Sequence, residues 1–413
     1  MSSLTKRACL KPETVFLILQ VTIGLFMGAH STIYVPFLVQ IGLSVSQVFL
    51  VNVFYAGAIM VAEVPTGMLA DTRGRRWSVQ MGMVAWMLSG VMYVWVSGFW
   101  SAVIAEVVGG IGQAFISGSL NAWITDALHM RDNQVERKRV FGNGEAIKRV
   151  FLLLGGAFGA LLGGWTLRAP FAVSAACAVP GIILGLWYMT PDGEAHNVQD
   201  RVAEDVQDPQ GFAAFTAQWK DAWCVLNQRD MRWIMLFMVS AIWFAPINFF
   251  WPIWFKTCTG VRGLGLVWIV MMMGLLVGSK LVSTLKHAEA SHERRHLLLA
   301  IVASAVFVPI LVLAGCGVWG IAVFFLHEIG RGAITPLQSA YIQGRAQKRN
   351  GATVESSVSL LVNGCGMLVL VALGTATQGV QLSMPIIATL WICGSTLVLL
   401  CVFALWLWRK LSP

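Results

Sequence analysis

Two long apolar runs of this chain are joined by the segment Glu63-Val-Pro-Thr-Gly67-Met-Leu-Ala-Asp71-Thr-Arg-Gly74-Arg75-Arg76. The link between the runs is too short to fold alone, so its charges must act on the ends of neighbouring helices. Gly67 permits two helix backbones to approach closely, and Gly74 permits the positive φ of a tight turn. Asp71 is expected at a helix start, while Arg75 and Arg76 are expected to reach a helix end or a carboxylate. The segment therefore predicts a charged turn between two helices.

The composition excludes a soluble domain. Hydrophobic residues make up 57% of the 413 residues and charged residues only 12%, whereas a soluble domain usually has about 25% charged residues. A helix of about 20 apolar residues can cross a bilayer. The sequence therefore predicts an all-α integral membrane protein with twelve transmembrane helices, here called spans 1 to 12. They cover residues 14–37, 46–70, 77–97, 100–126, 141–164, 169–189, 232–255, 261–285, 296–315, 318–343, 352–378 and 384–408.

The basic residues predict the orientation of the spans. Of the 29 Lys and Arg residues, all but Arg168, Lys256, Arg262 and Arg331 are assigned to the termini and the even-numbered links. Basic links stay on the cytoplasmic side, so both termini are expected in the cytoplasm and the protein in a plasma membrane, foremost a bacterial inner membrane. The net charge of +9 follows from this orientation, and basic residues spread over separate segments predict no nucleic-acid partner.

The spacing within the link is more specific than its charge. The pattern Gly-x-x-x-Asp-x-x-Gly-Arg-Arg between spans 2 and 3 resembles the signature loop of the major facilitator superfamily of secondary transporters. The resemblance implies two six-helix halves related by pseudo-twofold symmetry. The expected halves are residues 1–190 and 231–413, joined by a cytoplasmic linker with an amphipathic helix at residues 191–230.

Other segments resemble the drug- and metabolite-exporting members of that superfamily. Glu63 begins the sequence Glu-x-Pro-Thr-Gly ahead of the signature loop, and span 4 from Glu106 to Asp126 is similar to the fourth helix of these exporters. Many proton antiporters carry an arginine four residues before Gly110, where this chain has Glu106. Span 5 resembles the glycine-rich antiporter motif, with Ala160 in place of its usual proline.

The resemblance implies that the signature loop takes part in gating. Glu63 and Asp126 lie beside this loop at the ends of spans 2 and 4. For these two residues we favour a role in gating over contact with the substrate. We call the whole group the cytoplasmic latch. It comprises Glu63, Gly67, Asp71, Gly74, Arg75, Arg76 and Asp126.

Ionisable residues inside the spans are functional candidates, because each costs at least about 2.5 to 3.5 kcal/mol near the bilayer centre. Glu106 lies in the outer half of span 4, and His327, Glu328 and Arg331 lie near the middle of span 10 on one helix face. A Glu328–Arg331 pair either holds span 10 against a neighbour or titrates during transport. We expect these four residues to couple transport to protons. Glu106 has no basic partner in its own span and is expected to take up the proton, with His327 next in line.

Neutral polar and aromatic residues predict the substrate cavity. The chain has 18 Trp and 18 Met, which suit a deformable, aromatic-rich site for a bulky amphipathic solute. Most of the Trp are nevertheless expected to be interfacial anchors. The expected cavity residues from spans 1, 2 and 7 are Gln20, His30, Asn52, Tyr55, Trp243, Asn248 and Trp251.

The eight cysteines show no C-x-x-C motif and no cluster with histidine. Most of them fall within spans, where cysteine is a small apolar residue. Cys258 and Cys316 are the only pair expected on the outer side, and the pattern favours free thiols over a disulfide between them. Neither a metal site nor a cofactor is predicted.

These features favour a secondary active transporter of a small organic solute, with proton-coupled export as the leading function. Uptake of a nutrient or siderophore is an alternative that the signature loop permits equally. A non-transporting sensor or assembly factor is the alternative from another class. An enzyme is not expected, since the sequence has no nucleophile elbow or paired catalytic carboxylates. The expected partners are the solute, protons and the lipid bilayer, and the protein is expected to act as a monomer.

Overall fold

The computed structural model describes residues 10–128, 134–189, 244–284, 290–343 and 351–411. Within these ranges the secondary structure consists of twelve α-helices and includes no strand. The predicted linker 191–230 and the predicted cavity residue Trp243 lie outside the described residues. The helices are α1 (Pro12–Ser31), α2 (Tyr34–Gln40), α3 (Val45–Arg73), α4 (Arg75–Trp95), α5 (Phe99–Ala127), α6 (Gln134–Gly163), α7 (Ala169–Tyr188), α8 (Ala245–Thr284), α9 (Ala290–Ala314), α10 (Val318–Gln343), α11 (Gly351–Ala376) and α12 (Met384–Leu411).

The predicted spans correspond to these helices with two differences. Span 1 is divided into α1 and α2 at Thr32, because Pro36 has no N–H to donate to the Thr32 carbonyl group, as a continuous helix requires. Residues 245–255 of span 7 and 261–284 of span 8 lie in α8, which contains a non-helical residue, Gly260, with φ 67° and ψ 177°. Glycine adopts this conformation without steric cost, so α8 consists of two helical segments on either side of the predicted break.

Several of the described helices are long and apolar enough to cross a membrane. The helix α10 is not among them, since its central His327, Glu328 and Arg331 make it more polar. The eight candidate spans within the described residues are Pro12–Ser31, Val45–Ala70, Phe99–Ala127, Arg139–Gly163, Ala169–Tyr188, Ala245–Val282, Arg295–Ala314 and Met384–Ala404.

The chain separates into two compact units. Unit 1 contains Met1–Leu43 and Val51–Asp208, and unit 2 contains Ser44–Leu50 and Pro209–Pro413. In unit 1, α1 packs on α6 and α7, and α4 packs on α5 and α7. In unit 2, α10 packs on α8 and α9, and α12 packs on α8 and α9. These packed helices hold the polar groups described below.

Glycines allow α6 to lie directly against α1. Gly155 and Gly159 form the small-residue motif of span 5, and a Cβ atom at Gly159 would overlap with the carbonyl group of Ala29. A Cβ atom at Gly28 would overlap with the carbonyl oxygen of Leu152 in the same way. Small residues permit such close contact between membrane helices. The glycine motif of span 5 therefore packs on α1.

The expectation of free thiols at Cys258 and Cys316 is wrong. The two residues form a disulfide, with their Cα atoms 5.7 Å apart. The indole N–H of Trp254 donates to the carbonyl oxygen of Gly315 at 3.2 Å, which holds this end of the helix beside the turn that contains Cys316. The disulfide thus joins the first segment of α8 to the link between α9 and α10.

Candidate functional site

The link inside the cytoplasmic latch is shorter than the sequence predicts. The helix α3 ends at Arg73 and α4 begins at Arg75, so Gly74 alone separates them, with φ 98°. Asp71 lies in the last turn of α3 and not at a helix start, which corrects that expectation. Only a residue without a Cβ adopts this positive φ readily, so Gly74 makes the sharp reversal possible.

The two arginines at the start of α4 reach the ends of other helices. Arg75 pairs with the Asp126 carboxylate in the last turn of α5, and it also donates to the carbonyl oxygen of Ala122 at 3.0 Å. Arg76 donates to the carbonyl oxygen of Leu186 near the end of α7. Cations are favourable at the C-terminal ends of helices, where carbonyl groups lack helical partners. Three helices of unit 1 are thereby joined through the latch.

Of the remaining latch residues, Gly67 does not make the predicted contact. No described atom lies within 4 Å of the position that a Cβ would take at Gly67, so the expected close helix contact is not found there. Glu63 is exposed on α3. The side chain of Asp71 lies outside the part of the chain that the structure describes.

Glu106 lies in a group of tyrosines within unit 1. Its carboxylate accepts a hydrogen bond of 2.6 Å from the hydroxyl of Tyr93, and the Tyr93 ring stacks on Phe171 at 4.6 Å between centroids. The hydroxyl of Tyr34 is also close enough to interact with the carboxyl, although it forms no hydrogen bond of standard geometry. The ring of Tyr55 also lies against this part of α5, since a Cβ at Gly109 would be 3.8 Å from Cε2 of Tyr55. Every described partner of Glu106 is therefore uncharged.

Glycines of α5 bring these side chains together. A Cβ at Gly110 would lie 2.7 Å from the carbonyl oxygen of Tyr55 in α3, and one at Gly112 would lie 2.7 Å from the Trp86 ring in α4. The indole N–H of Trp86 donates to the carbonyl oxygen of Gly109 at 3.2 Å. The helix α5 can therefore lie close to both α3 and α4, which carry the tyrosines Tyr55 and Tyr93.

A second polar cluster lies in unit 2, where α10 faces α8. Both Nε and Nη2 of Arg331 lie 2.7 Å from Oε2 of Glu328, and Nη1 of Arg331 donates to Oδ1 of Asn248. The Glu328 side chain is only 1% exposed, whereas that of Arg331 is 23% exposed. A Cβ at Gly274 would lie 2.7 Å from the Glu328 Cβ, so this glycine permits α8 to approach the pair closely.

His327 completes the cluster of unit 2 and is fully buried. Its Nδ1 lies 2.9 Å from the carbonyl oxygen of Ser304 in α9, so we assign the ring proton to Nδ1. Its Nε2 has no hydrogen-bond partner among the described residues and lies 4.0 Å from Oε1 of Glu328. The rings of Phe244 and Phe324 pack against the imidazole, with centroids 5.5 and 6.1 Å away.

The other predicted cavity residues occupy varied positions. Gln20 is buried, and His30 is half-buried, with its Nδ1 3.0 Å from the Ser174 hydroxyl. Trp251 is buried and stacks on Trp268 and Phe324. The structure therefore groups Asn248 with Arg331, whereas it places His30 against α7 and Trp251 in an aromatic core. Within the described residues, no group of three His, Cys, Asp or Glu side chains could hold a metal ion.

Comparison with protein families identifies the fold. Residues 16–370 match the model of the Major Facilitator Superfamily. The chain belongs to this superfamily. It is a multi-pass membrane transporter with the facilitator fold. No sequence among the curated proteins matches the chain.

Solved structures of other facilitators share this fold. The nucleoside transporter NupG is similar with a TM-score of 0.75 and 13% identity, over 97% of this chain and 100% of that chain. A POT family transporter in complex with a thioalcohol-conjugated peptide has a TM-score of 0.67 and 12% identity, over 96% of each chain. A D-xylose-proton symporter has a TM-score of 0.67 and 12% identity, over 94% of this chain and 96% of that chain. At these identities the likeness shows the fold alone.

The sequence analysis did not predict the partners of Glu106 and of the polar cluster in unit 2. It did not select Tyr34 or Tyr93, although three of the five tyrosines in the chain surround Glu106. The scarcity of tyrosine, and its occurrence inside predicted spans, is a signal that could have singled them out. Ser304 was also missed, because the contact with the His327 ring is made by its backbone carbonyl oxygen, which leaves no signal in the sequence.

Proposed function

We propose that this facilitator is a proton-coupled secondary transporter of a small organic solute that works by alternating access. The observation that carries the proposal is Glu106, a carboxyl within α5 whose hydrogen-bond donor is the hydroxyl of Tyr93 at 2.6 Å. Glu106 is half-buried. An ionised carboxylate in an apolar setting is costly when its partners are neutral, and protonation removes that cost. Glu106 is therefore suited to bind a proton on one side of the membrane and release it on the other.

Export in exchange for protons is the direction that the sequence favours. The Glu-x-Pro-Thr-Gly sequence at residues 63–67 and the glycine-rich parts of α5 and α6 resemble those of exporters. Uptake together with protons is the second candidate, because the signature loop is compatible with both export and uptake. The polar cluster of unit 2 also suits the binding of an anion together with a proton. A non-transporting sensor is the weaker alternative, since it has no need of ionisable groups within its spans.

The transport function is tested in two steps. Purified protein is first screened by thermal shift against small organic solutes, because a ligand that binds the folded state raises its apparent stability. The solute that stabilises most is then measured for flux into proteoliposomes with an imposed pH gradient. We expect flux that depends on the gradient. A solute that binds and never crosses would support a sensor instead.

We further propose that the protein acts as a monomer in a bacterial inner membrane with both termini in the cytoplasm. The disulfide between Cys258 and Cys316 supports this orientation, since disulfides persist in oxidising compartments and both residues belong to links assigned to the outer side. In intact cells, we expect an impermeant thiol reagent to label these cysteines only after reduction from outside. Labelling that requires permeabilised cells would contradict the orientation.

The ion pair of the cytoplasmic latch is proposed to stabilise one gating state. Asp126→Asn removes the charge that pairs with Arg75 without removing core packing. We expect normal expression and a solute flux at least about fivefold lower, because coupling free energies between conformational states commonly have this size. Glu13→Gln is the matched control, since it removes the exposed pair with Arg139 at the start of the chain. Equal flux in Asp126→Asn and the wild type would refute the gating role.

A further inference from the structure

Part of the Arg331 guanidinium has no protein partner in the described structure. A guanidinium has five N–H groups. The one on Nε and one on Nη2 face Oε2 of Glu328, and one on Nη1 faces Oδ1 of Asn248. One N–H on Nη1 and one on Nη2 remain, and 23% of the side chain is exposed. Donors on the two nitrogens of a guanidinium match the paired oxygens of a carboxylate or phosphate.

His327 has a ring nitrogen without a hydrogen-bond partner among the described residues, and it lies beside the Glu328–Arg331 pair. Because its Nδ1 donates to the Ser304 carbonyl oxygen, its Nε2 carries a lone pair, and this atom has no partner among the described residues. The Nε2 atom lies 4.0 Å from Oε1 of Glu328, which is the carboxylate oxygen that Arg331 does not contact. A proton on Nε2 would point toward this oxygen, and a movement of about 1 Å would complete a hydrogen bond.

The balance of charge connects the two groups. Glu328 and Arg331 together carry no net charge while His327 is neutral. A second anion beside Arg331 would leave an uncompensated negative charge in an apolar setting, which is costly. A proton on His327 restores a net charge of zero when the bound anion carries a single negative charge, as a carboxylate or a phosphate diester does. We propose that Arg331 binds a carboxylate or phosphate group of the transported solute, and that His327 binds one proton in the same step.

Among the described residues of unit 2, no other charged side chain pairs with Glu328, Arg331 or His327. The described residues of α8 and α9 that contact the cluster are Asn248 and Ser304. Neither of them is charged. The side chains of residues 351–360 in α11 lie outside the described residues. The described basic residues of α8 and α9 lie near the ends of helical segments and are Lys256, Arg262, Lys280 and Arg295.

This inference rests on the proposed transport function and names its substrate class. An anion that binds together with a proton travels in the same direction as that proton. An anionic solute bound in this way therefore favours uptake by symport over export by antiport. The same measurement that identifies the solute class thus discriminates between the two directions.

The test is calorimetric titration of the purified full chain with benzoate, with diphenyl phosphate and with the neutral amide benzamide. Titrations at about pH 6 and about pH 8 bracket the ordinary pKa of histidine, and both anions keep a single negative charge at the two pH values. We expect benzoate or diphenyl phosphate to bind at least about tenfold more tightly than benzamide, as for hydrogen bonds to charged groups. Binding is expected to take up about one proton and to weaken at the higher pH.

Variants separate the two parts of the proposal. Arg331→Lys keeps the positive charge but loses the planar fork, so it is expected to weaken anion binding about tenfold. His327→Gln is expected to bind the anion with the same affinity at both pH values. Arg262→Gln is the control, since it removes an exposed arginine elsewhere in unit 2, and it is expected to bind like the wild type.

Three results would overturn the site: equal binding of the anions and benzamide, wild-type anion binding in Arg331→Lys, or a retained pH dependence in His327→Gln. Failure of the transport function gives a different pattern. Anion binding without flux in proteoliposomes would refute the transport function but not the anion site. Flux of a solute without anion binding would refute only the anion site.

Discussion

Glu106→Gln is expected to abolish the accumulation of solute against its gradient while solute binding and exchange persist. The amide fills the space of the carboxyl and still accepts the hydrogen bond from Tyr93, which is 2.6 Å long in the wild type. It cannot gain or lose a proton, so the imposed pH gradient no longer drives the cycle. The measurement compares accumulation with exchange of labelled solute in the same proteoliposomes.

Tyr93→Phe is the matched control for Glu106→Gln. It removes the hydroxyl that bonds to the carboxyl and keeps both the ring that stacks on Phe171 and the carboxyl itself. Accumulation should therefore persist in this variant. Full accumulation by Glu106→Gln would place the proton site elsewhere, and His327→Gln would then be the next variant to measure.

Glu328→Gln is expected to lower stability far more than the removal of an exposed carboxyl does. Glu328 is 1% exposed and lies 2.7 Å from two nitrogens of Arg331. Removal of one partner from a buried ion pair costs about 3 to 5 kcal/mol, because the other charge stays buried without compensation. Thermal unfolding of the detergent-solubilised protein measures this loss.

Two controls make the Glu328→Gln result specific. Glu145→Gln removes exposed pairs with Lys148 and Arg149 and should change stability by about 0 to 1 kcal/mol. The double variant Glu328→Gln with Arg331→Gln removes both charges and should regain much of the lost stability, since a neutral pair leaves no buried charge. A Glu328→Gln variant as stable as the wild type would show that the pair contributes little.

The spacing of residues predicted the latch contacts that depend on local geometry. A glycine between two helices predicted the reversal at Gly74, and the basic side chains after it predicted contacts with helix ends such as that of Arg75 with Asp126. The exact length of the link could not be predicted, because the apolar pattern that marks a helix in the sequence ends before the charged residues of the latch. In the structure, α3 and α4 include these charged residues. The helical hydrogen bonds of α3 extend past Asp71 in the same way.

Contacts between the side chains of different helices could not be predicted from the sequence. Glu106 was selected as an ionisable residue within a span, but its contact with Tyr93 depends on the rotation of α5 against α4. That rotation is set by close packing at Gly109 and Gly112, where side chains from α4 fill the space beside the glycines. The spacing within α10 did predict the Glu328–Arg331 pair, since both residues lie on a single helix one turn apart.

The central claim is that solute movement is coupled to proton movement, and the internal pH of proteoliposomes tests it most directly. Vesicles containing the purified protein and a trapped pH-sensitive dye receive the identified solute outside, with no initial pH gradient. The account predicts a change of internal pH in wild-type vesicles: acidification for symport, alkalinisation for antiport. Solute entry at the wild-type rate with no change of internal pH would contradict proton coupling.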